Sequence, residues 1–204
     1  VGLLVQIRND RADYYIELQG APLYKRGLRN EALEAPLRET LAAALLHATG
    51  YRGRGNLHDP FCGAGTLLIE AALMATQTAP GLQRNFAFER WPHFPAHLAD
   101  GWRELRTEAQ DLRKPNVRSA LLGTDRDRQA VMTTQANLRR AGFSEVAVAH
   151  ADALDIEPLL GGGTIVANPP YGARLERGND TLRELYATWG QRVQGFENHR
   201  FVVI

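Results

Sequence analysis

The run Asp59-Pro60-Phe61-Cys62-Gly63-Ala64-Gly65-Thr66 constrains the fold of this chain more than any other segment. It lies between a short stretch, Leu57 to Asp59, and a strongly apolar one, Thr66 to Thr76. Glycines two residues apart let the main chain reverse sharply and approach a ligand with no Cβ in the way. A turn of this kind that opens directly into a helix aims the first N–H groups of that helix at whatever lies there. The expected unit is strand, glycine turn, helix, which begins many α/β nucleotide-binding domains. A dinucleotide-binding turn would carry a third glycine at position 68, where helix and strand pack closely, but position 68 is leucine. That departure favours a cofactor without a pyrophosphate.

The rest of the chain repeats the alternation. Strands are expected at Ala120 to Thr124, Val146 to Ala149, Thr164 to Ala167 and Phe201 to Ile204. Helices are expected from about Pro36 to Gly50, at Arg128 to Arg140 with Gly142 closing it, and at Leu182 to Val193. The first of these would bury Leu37, Leu41, Ala44, Leu45 and Ala48. Residues 79–118 interrupt the pattern as an insertion rich in aromatics (Phe86, Phe88, Trp91, Phe94, Trp102), with one helix near Leu98 to Leu112. Before all of this, Leu3 to Arg8 and Tyr14 to Leu18 read as a hairpin around Asn9-Asp10-Arg11. The expected fold is a Rossmann-like α/β domain over residues 23–204, with a doubly wound, mostly parallel sheet. Residues 1–22 form a β-hairpin extension. The sequence stops inside an apolar strand, so the expectation is a fragment truncated at its C-terminal strands and missing an upstream domain.

Three acids fall at the carboxyl ends of expected strands, the edge where open α/β sheets bind ligands. Asp59 can meet a cationic group such as a methionine ammonium. Asp125 can accept from both hydroxyls of a ribose, and Asp152 from an adenine amino group. With Phe61, Gly63, Gly65 and Thr66 they make a candidate site for S-adenosylmethionine. Asp127 and Asp155 are better read as a helix N-terminal acid and a loop charge.

About a hundred positions after the glycine turn comes Asn168-Pro169-Pro170-Tyr171. Each proline fixes φ and removes a donor, and Asn168 is pushed to extended geometry by the proline after it. The loop is stiff and rich in acceptors. The Asn168 side-chain oxygen and the Pro169 carbonyl can each take one hydrogen of a flat exocyclic amine, which aims the nitrogen lone pair at an electrophilic methyl. Tyr171 can stack on the base, worth ~1–3 kcal/mol. The chemistry these residues suit is methyl transfer to a planar amino group.

Composition narrows the setting. No apolar run approaches the roughly 18 residues of a spanning helix, and the charged, alternating start of the chain is no secretory signal. One cysteine, Cys62, forms no internal disulfide and no metal cluster; it reads as a small apolar filler. No metal is expected, and a cytoplasmic protein is the default. With 24 Lys and Arg against 23 Asp and Glu, contact with nucleic acid must come from a local basic patch. Lys25, Arg26, Arg29 and Arg174 are the candidates. His58 and His150 read as core or edge histidines, and the aromatics of the insertion as packed side chains.

These residues resemble the THUMP-linked class of RNA guanine-N2 methyltransferases. The likeness covers Tyr24 to Arg29, Ala35 to Ala44, Asp59 to Ala72, Ala79-Pro80-Gly81-Leu82, Gly123-Thr124-Asp125, Asn137 to Gly142 and Asn168 to Leu175. The resemblance implies a class I methyltransferase fold with S-adenosylmethionine as donor. It implies the exocyclic N2 amine of a guanine in 23S ribosomal RNA as acceptor, and a hairpin that closes a THUMP-containing region. It gives Asn168 to Tyr171 to the target amine, and Asp59, Gly63, Gly65, Asp125 and Asp152 to the cofactor. Transfer RNA guanine, DNA adenine or a protein glutamine amide would serve the same chemistry, and a non-catalytic RNA-binding module would keep the same fold.

Overall fold

The computed structural model describes residues 2–28, 37–170 and 179–204. In chain order its regular elements are β1 (Leu3–Arg8), β2 (Arg11–Ile16), α1 (Glu39–Ala48), β3 (Leu57–Asp59), α2 (Thr66–Ala75), α3 (Ala96–Asp111), β4 (Leu121–Asp125), α4 (Arg128–Ala141), β5 (Ala147–His150), β6 (Gly163–Ala167), α5 (Asn179–Gln194) and β7 (His199–Val203). Val1–Leu28 and Thr78–Arg113 form one compact unit; Arg29–Gln77 and Lys114–Ile204 form the other. Compactness thus groups the hairpin with the aromatic-rich insertion. Among the described residues no helix is long and apolar enough to cross a membrane.

In the first unit, β1 and β2 pair antiparallel, with Arg8 opposite Arg11. The turn is therefore two residues, Asn9 and Asp10, both at positive φ (48° and 61°). Asn and Asp tolerate that region better than other side chains, and such turns match the twist of the paired strands. The second strand accordingly starts at Arg11 rather than at Tyr14, and Arg11 pairs instead of turning. The chain leaving the hairpin is tied to the insertion. The Phe88 N–H donates to the Leu18 carbonyl (3.2 Å). The buried Arg84 guanidinium donates to the carbonyls of Gln19 (3.0 Å), Ala21, Pro22 (3.0 Å) and Lys25 (3.4 Å). Phe86, Phe88, Phe94 and Trp102 pack on one another with centroids 5.2–5.7 Å apart, within the usual range for aromatic pairs. The expectation of packed aromatics in the insertion matches this cluster for Phe86 and Phe88; Trp91, half-buried, is not one of its members.

The second unit holds a five-stranded sheet in the order β5-β4-β3-β6-β7, parallel at every pairing. β3 is buried at all three positions, as a central strand covered on both faces must be. α2 is apolar around nearly its whole circumference and nine of its ten residues are buried, which marks an internal helix. Its Leu68 fills the place a third glycine would have left. The space comes from the strand instead: a Cβ on Gly123 of β4 would lie 2.4 Å from Leu68 Cδ1.

The helix α1 departs from expectation in phase. Its buried residues are Glu39, Ala42 and Leu46, while Leu41 is 45% exposed. The run Leu41-Ala42-Ala43-Ala44-Leu45-Leu46 is apolar all round, so periodicity alone leaves its rotation open; packing on α2 selects the Ala42–Leu46 face. The helix starts at Glu39 after an extended Arg38, so Leu37, expected on its buried face, stands ahead of it; Pro36 lies outside the described residues. α5 buries Trp189 and Val193, which pack with Phe196, Ile156, Ile165 and Ala167 on one face of the sheet.

Candidate active site

The strand order reverses at β3. β4 and β5 lie to one side of it, β6 and β7 to the other. A crevice forms at such a reversal, at the carboxyl ends of the strands, and open α/β sheets bind ligands there. Asp59 ends β3, Asp125 ends β4, and Asn168 immediately follows β6. Three of the residues singled out from the sequence therefore share one edge of the sheet on neighbouring strands.

The glycine turn has the expected form. Gly63 and Gly65 sit at φ 53° and 81°, in the left-handed region that a side chain disfavours. Gly65 is the residue from which α2 springs. The turn is held by its own main chain, with the Gly65 N–H on the Cys62 carbonyl (2.7 Å), and by β4, where the Thr124 carbonyl accepts from the Cys62 N–H (3.0 Å). Thr66 is buried in the first turn of α2. Phe61 stands edge-on to Trp189 of α5, with centroids 5.3 Å apart and an interplanar angle of 84°.

The acids differ in surroundings. Asp59 is 1% exposed and accepts the Phe61 N–H (3.1 Å). Burial pushes its pKa up to about 8; the Phe61 N–H opposes the rise and the nearby Asp125 adds to it. No cation among the described residues enters that balance. Asp125 is half-buried and cross-links the site: Oδ2 accepts from the Gly63 N–H (3.0 Å) and Oδ1 from the Asp127 N–H (2.9 Å). Each oxygen keeps a further lone pair for a ligand hydroxyl. Asp152, also half-buried, accepts from the Leu154 N–H (3.0 Å) and caps a short turn. Asp127 caps α4 through the Gln129 N–H (2.8 Å), and Asp155 is exposed.

Past β6, Asn168 is half-buried and Pro169 buried. The Asn168 Oδ1 is shut from solvent with no hydrogen-bond partner among the described residues. Such an acceptor is uncommon in a folded chain and calls for a ligand donor or a cost. The Tyr186 hydroxyl of α5 donates to the Pro170 carbonyl (2.7 Å). Tyr171, Arg29 and Arg174 lie outside the described residues. Lys25 is exposed, and Arg26 is half-buried with its guanidinium on the Leu23 carbonyl (3.3 Å). His58 is no exposed base: its Nε2 pairs with Thr124 Oγ1 (2.9 Å), and burial, with His199 adding, lowers its pKa to about 4. His150 bonds the Arg126 carbonyl (2.9 Å). Cys62 is buried, and burial pushes its thiol pKa up, as a packing cysteine requires.

Sequence reasoning passed over three residues. Tyr186 stands at a packing interval of α5, where spacing gives its hydroxyl no signal. Thr134 and Asn137, on the buried stripe of α4, reach the carbonyls of the glycine turn. Their signal was present: polar residues at positions where an amphipathic helix is apolar.

A parallel sheet reversing at β3, a left-handed glycine turn and a stiff acceptor loop at the next strand define an α/β domain of the Rossmann-like methyltransferase class. A family model described as RMKL-like, methyltransferase domain, matches residues 26–204, and the chain belongs to that family. It is 41% identical over 188 residues to the ribosomal RNA large subunit methyltransferase K/L of Psychromonas ingrahamii, an alignment covering 89% of this chain and 24% of that protein. Among solved structures it is similar to SMU.472, a candidate methyltransferase complexed with SAH, at a TM-score of 0.87 and 30% identity. It is also similar to a predicted N6-adenine-specific DNA methylase from Listeria monocytogenes, at 0.85 and 34%. Each alignment covers 98% of this chain and 52% of the other. The chain thus spans about a quarter of that curated relative and about half of those solved chains.

Proposed function

We propose that this domain transfers a methyl group from S-adenosylmethionine to the exocyclic N2 amine of a guanine in large-subunit, 23S ribosomal RNA. The observation that carries the reading is the buried Asn168 Oδ1, without a hydrogen-bond partner among the described residues, at the strand reversal one strand from the glycine turn. The SAH-bound neighbour and the family support the donor, and the name of the Psychromonas relative supports ribosomal RNA.

The residues fit the donor. Asp59 has a raised pKa and no compensating charge among the described residues, and the methionine ammonium would supply one. Gly63 and Gly65 let the main chain approach. Asp125 would take the ribose hydroxyls and Asp152 the adenine amine, with Phe61 and Thr66 lining the turn. When bound, the donor supplies a methyl group on a cationic sulfur. The Asn168 Oδ1 and the Pro169 carbonyl then accept the two amine hydrogens and hold the nitrogen lone pair toward that methyl. The Pro170 carbonyl is held by Tyr186, which fixes the loop beside the Pro169 carbonyl assigned to the amine. Tyr171 would stack on the base. Catalysis on this account is positioning by fixed dipoles. The base must leave its stack first, at a few kcal/mol. Lys25, Arg26, Arg29 and Arg174 would meet RNA phosphates, and the hairpin would close a THUMP-containing region.

The test uses labelled S-adenosylmethionine and ribosomal RNA from a strain lacking the gene. One guanine should gain label with the wild-type chain. Asn168→Ala should lower transfer by about 100-fold or more while cofactor affinity by calorimetry stays within about twofold. No labelled guanine, or lost cofactor binding in the variant, overturns the assignment. The Listeria neighbour's name favours a second acceptor, the N6 amine of adenine in DNA, and label on DNA adenine in place of RNA would select it.

A further inference from the structure

α4 has a buried stripe that ought to be apolar and is not. Its buried residues are Ala130, Val131, Thr133, Thr134, Asn137, Leu138 and Ala141. Thr134 is 0% exposed and Asn137 1%. A polar side chain in such a place costs stability unless it is hydrogen-bonded. The Thr134 hydroxyl donates to the Gly63 carbonyl at 2.7 Å, and the Asn137 amide donates to the Ala64 carbonyl at 3.0 Å. Two consecutive carbonyls of the glycine turn are therefore pulled toward α4. The peptide N–H of Gly63 is held separately, by Asp125 at the end of β4. Gly65 completes the fit: a Cβ there would stand 2.9 Å from Thr134 Cγ2.

We infer that Thr134 and Asn137 are positioning residues for cofactor binding. They latch the glycine turn, carbonyls inward, so that its ligand-facing shape exists before the ligand arrives. The inference rests on the proposed donor site. Asp125 and α4 belong to one strand–helix unit, β4–α4, so the proposed ribose acceptor and the turn are set by the same rigid piece. A turn free to rotate its peptides would have to be ordered at each binding event, and affinity would fall by the cost of that ordering.

Thr134 permits a crossed test, because its hydroxyl and its methyl can be removed one at a time. Thr134→Val keeps the shape and loses the donor; Thr134→Ser keeps the donor and loses the methyl. The readouts are the affinity for S-adenosylhomocysteine by calorimetry and the ligand-free melting temperature. Thr134→Val is expected to weaken binding about tenfold, the effect of one lost hydrogen bond of ordinary strength, and Thr134→Ser to stay within about threefold. Asn137→Leu, which removes the second donor, is expected to weaken binding about tenfold as well, and it decides the matter if Thr134→Val does not fold. A side chain that serves packing alone gives the reverse order, with Ser the weaker binder. That order, or folded Val and Leu variants that bind like wild type, overturns the latch and leaves the donor site standing. Wild-type protein that binds no S-adenosylhomocysteine removes both.

Discussion

Burial keeps a proton on Asp59 up to about pH 8, and two effects of opposite sign follow. The folded chain binds this proton more tightly than the unfolded chain does. Without ligand, stability should therefore be greatest below the ordinary carboxylate range and fall as pH rises to about 8, then level off. Asp59→Asn should flatten that fall and raise the melting temperature at alkaline pH by several degrees, as a pH series of thermal scans would record. A ligand carrying an ammonium prefers the ionised carboxyl, so affinity for S-adenosylhomocysteine should climb from about pH 6 to about pH 8, approaching tenfold per unit. Calorimetry giving a flat profile would remove Asp59 from the cofactor's surroundings. The identity of this acid was legible in the sequence, since it stands beside the glycines. Its state was not, because burial to 1% depends on strands that arrive from far along the chain.

Elements were legible wherever punctuation was strong. Gly142 marks the end of α4, sitting at φ 83° directly after it, and the glycine turn marks the start of α2. The rotation of α1 was hidden by a segment apolar on every side. The role of α5 was hidden too, because a tyrosine at a packing interval and a tyrosine donating a hydrogen bond look the same in one dimension. α5 meets both halves of the proposed site: Trp189 lies against Phe61, and Tyr186 holds the Pro170 carbonyl. Tyr186→Phe should lower kcat for methyl transfer about three- to tenfold. KM for RNA and cofactor affinity should stay near wild type, because the lost bond fixes the acceptor loop rather than either ligand. A variant whose KM changes and whose kcat does not would show that the tyrosine serves RNA contact instead.

The molecule as a whole is two compact units interleaved in sequence, and in the one containing the hairpin a buried cation gathers the main chain. Arg84 is 8% exposed and its guanidinium serves four carbonyls between Gln19 and Lys25. Arg84→Ala removes those donors and should destabilise the unit by about 1–3 kcal/mol. Hydrogen exchange should quicken across residues 19–25 and stay unchanged in β3, β4 and β6. Arg84→Lys should not restore protection, since one ammonium cannot reproduce a planar fork of donors. Exchange that quickens equally in both units would show that they unfold together.

The contact between Leu68 and Gly123 bears on how such a chain can change by mutation. Giving it the third glycine of a dinucleotide turn, by Leu68→Gly alone, would open a hole above Gly123. Adding a methyl group at Gly123 alone would drive it into Leu68 and into Cys62, whose Cβ would be 3.2 Å away. Making both changes relieves the contact with Leu68 but leaves the new methyl against Cys62 and returns one carbon where four were removed. Each single replacement and the pair are thus penalised, so the packing of Leu68 on Gly123 holds this turn to its two-glycine form.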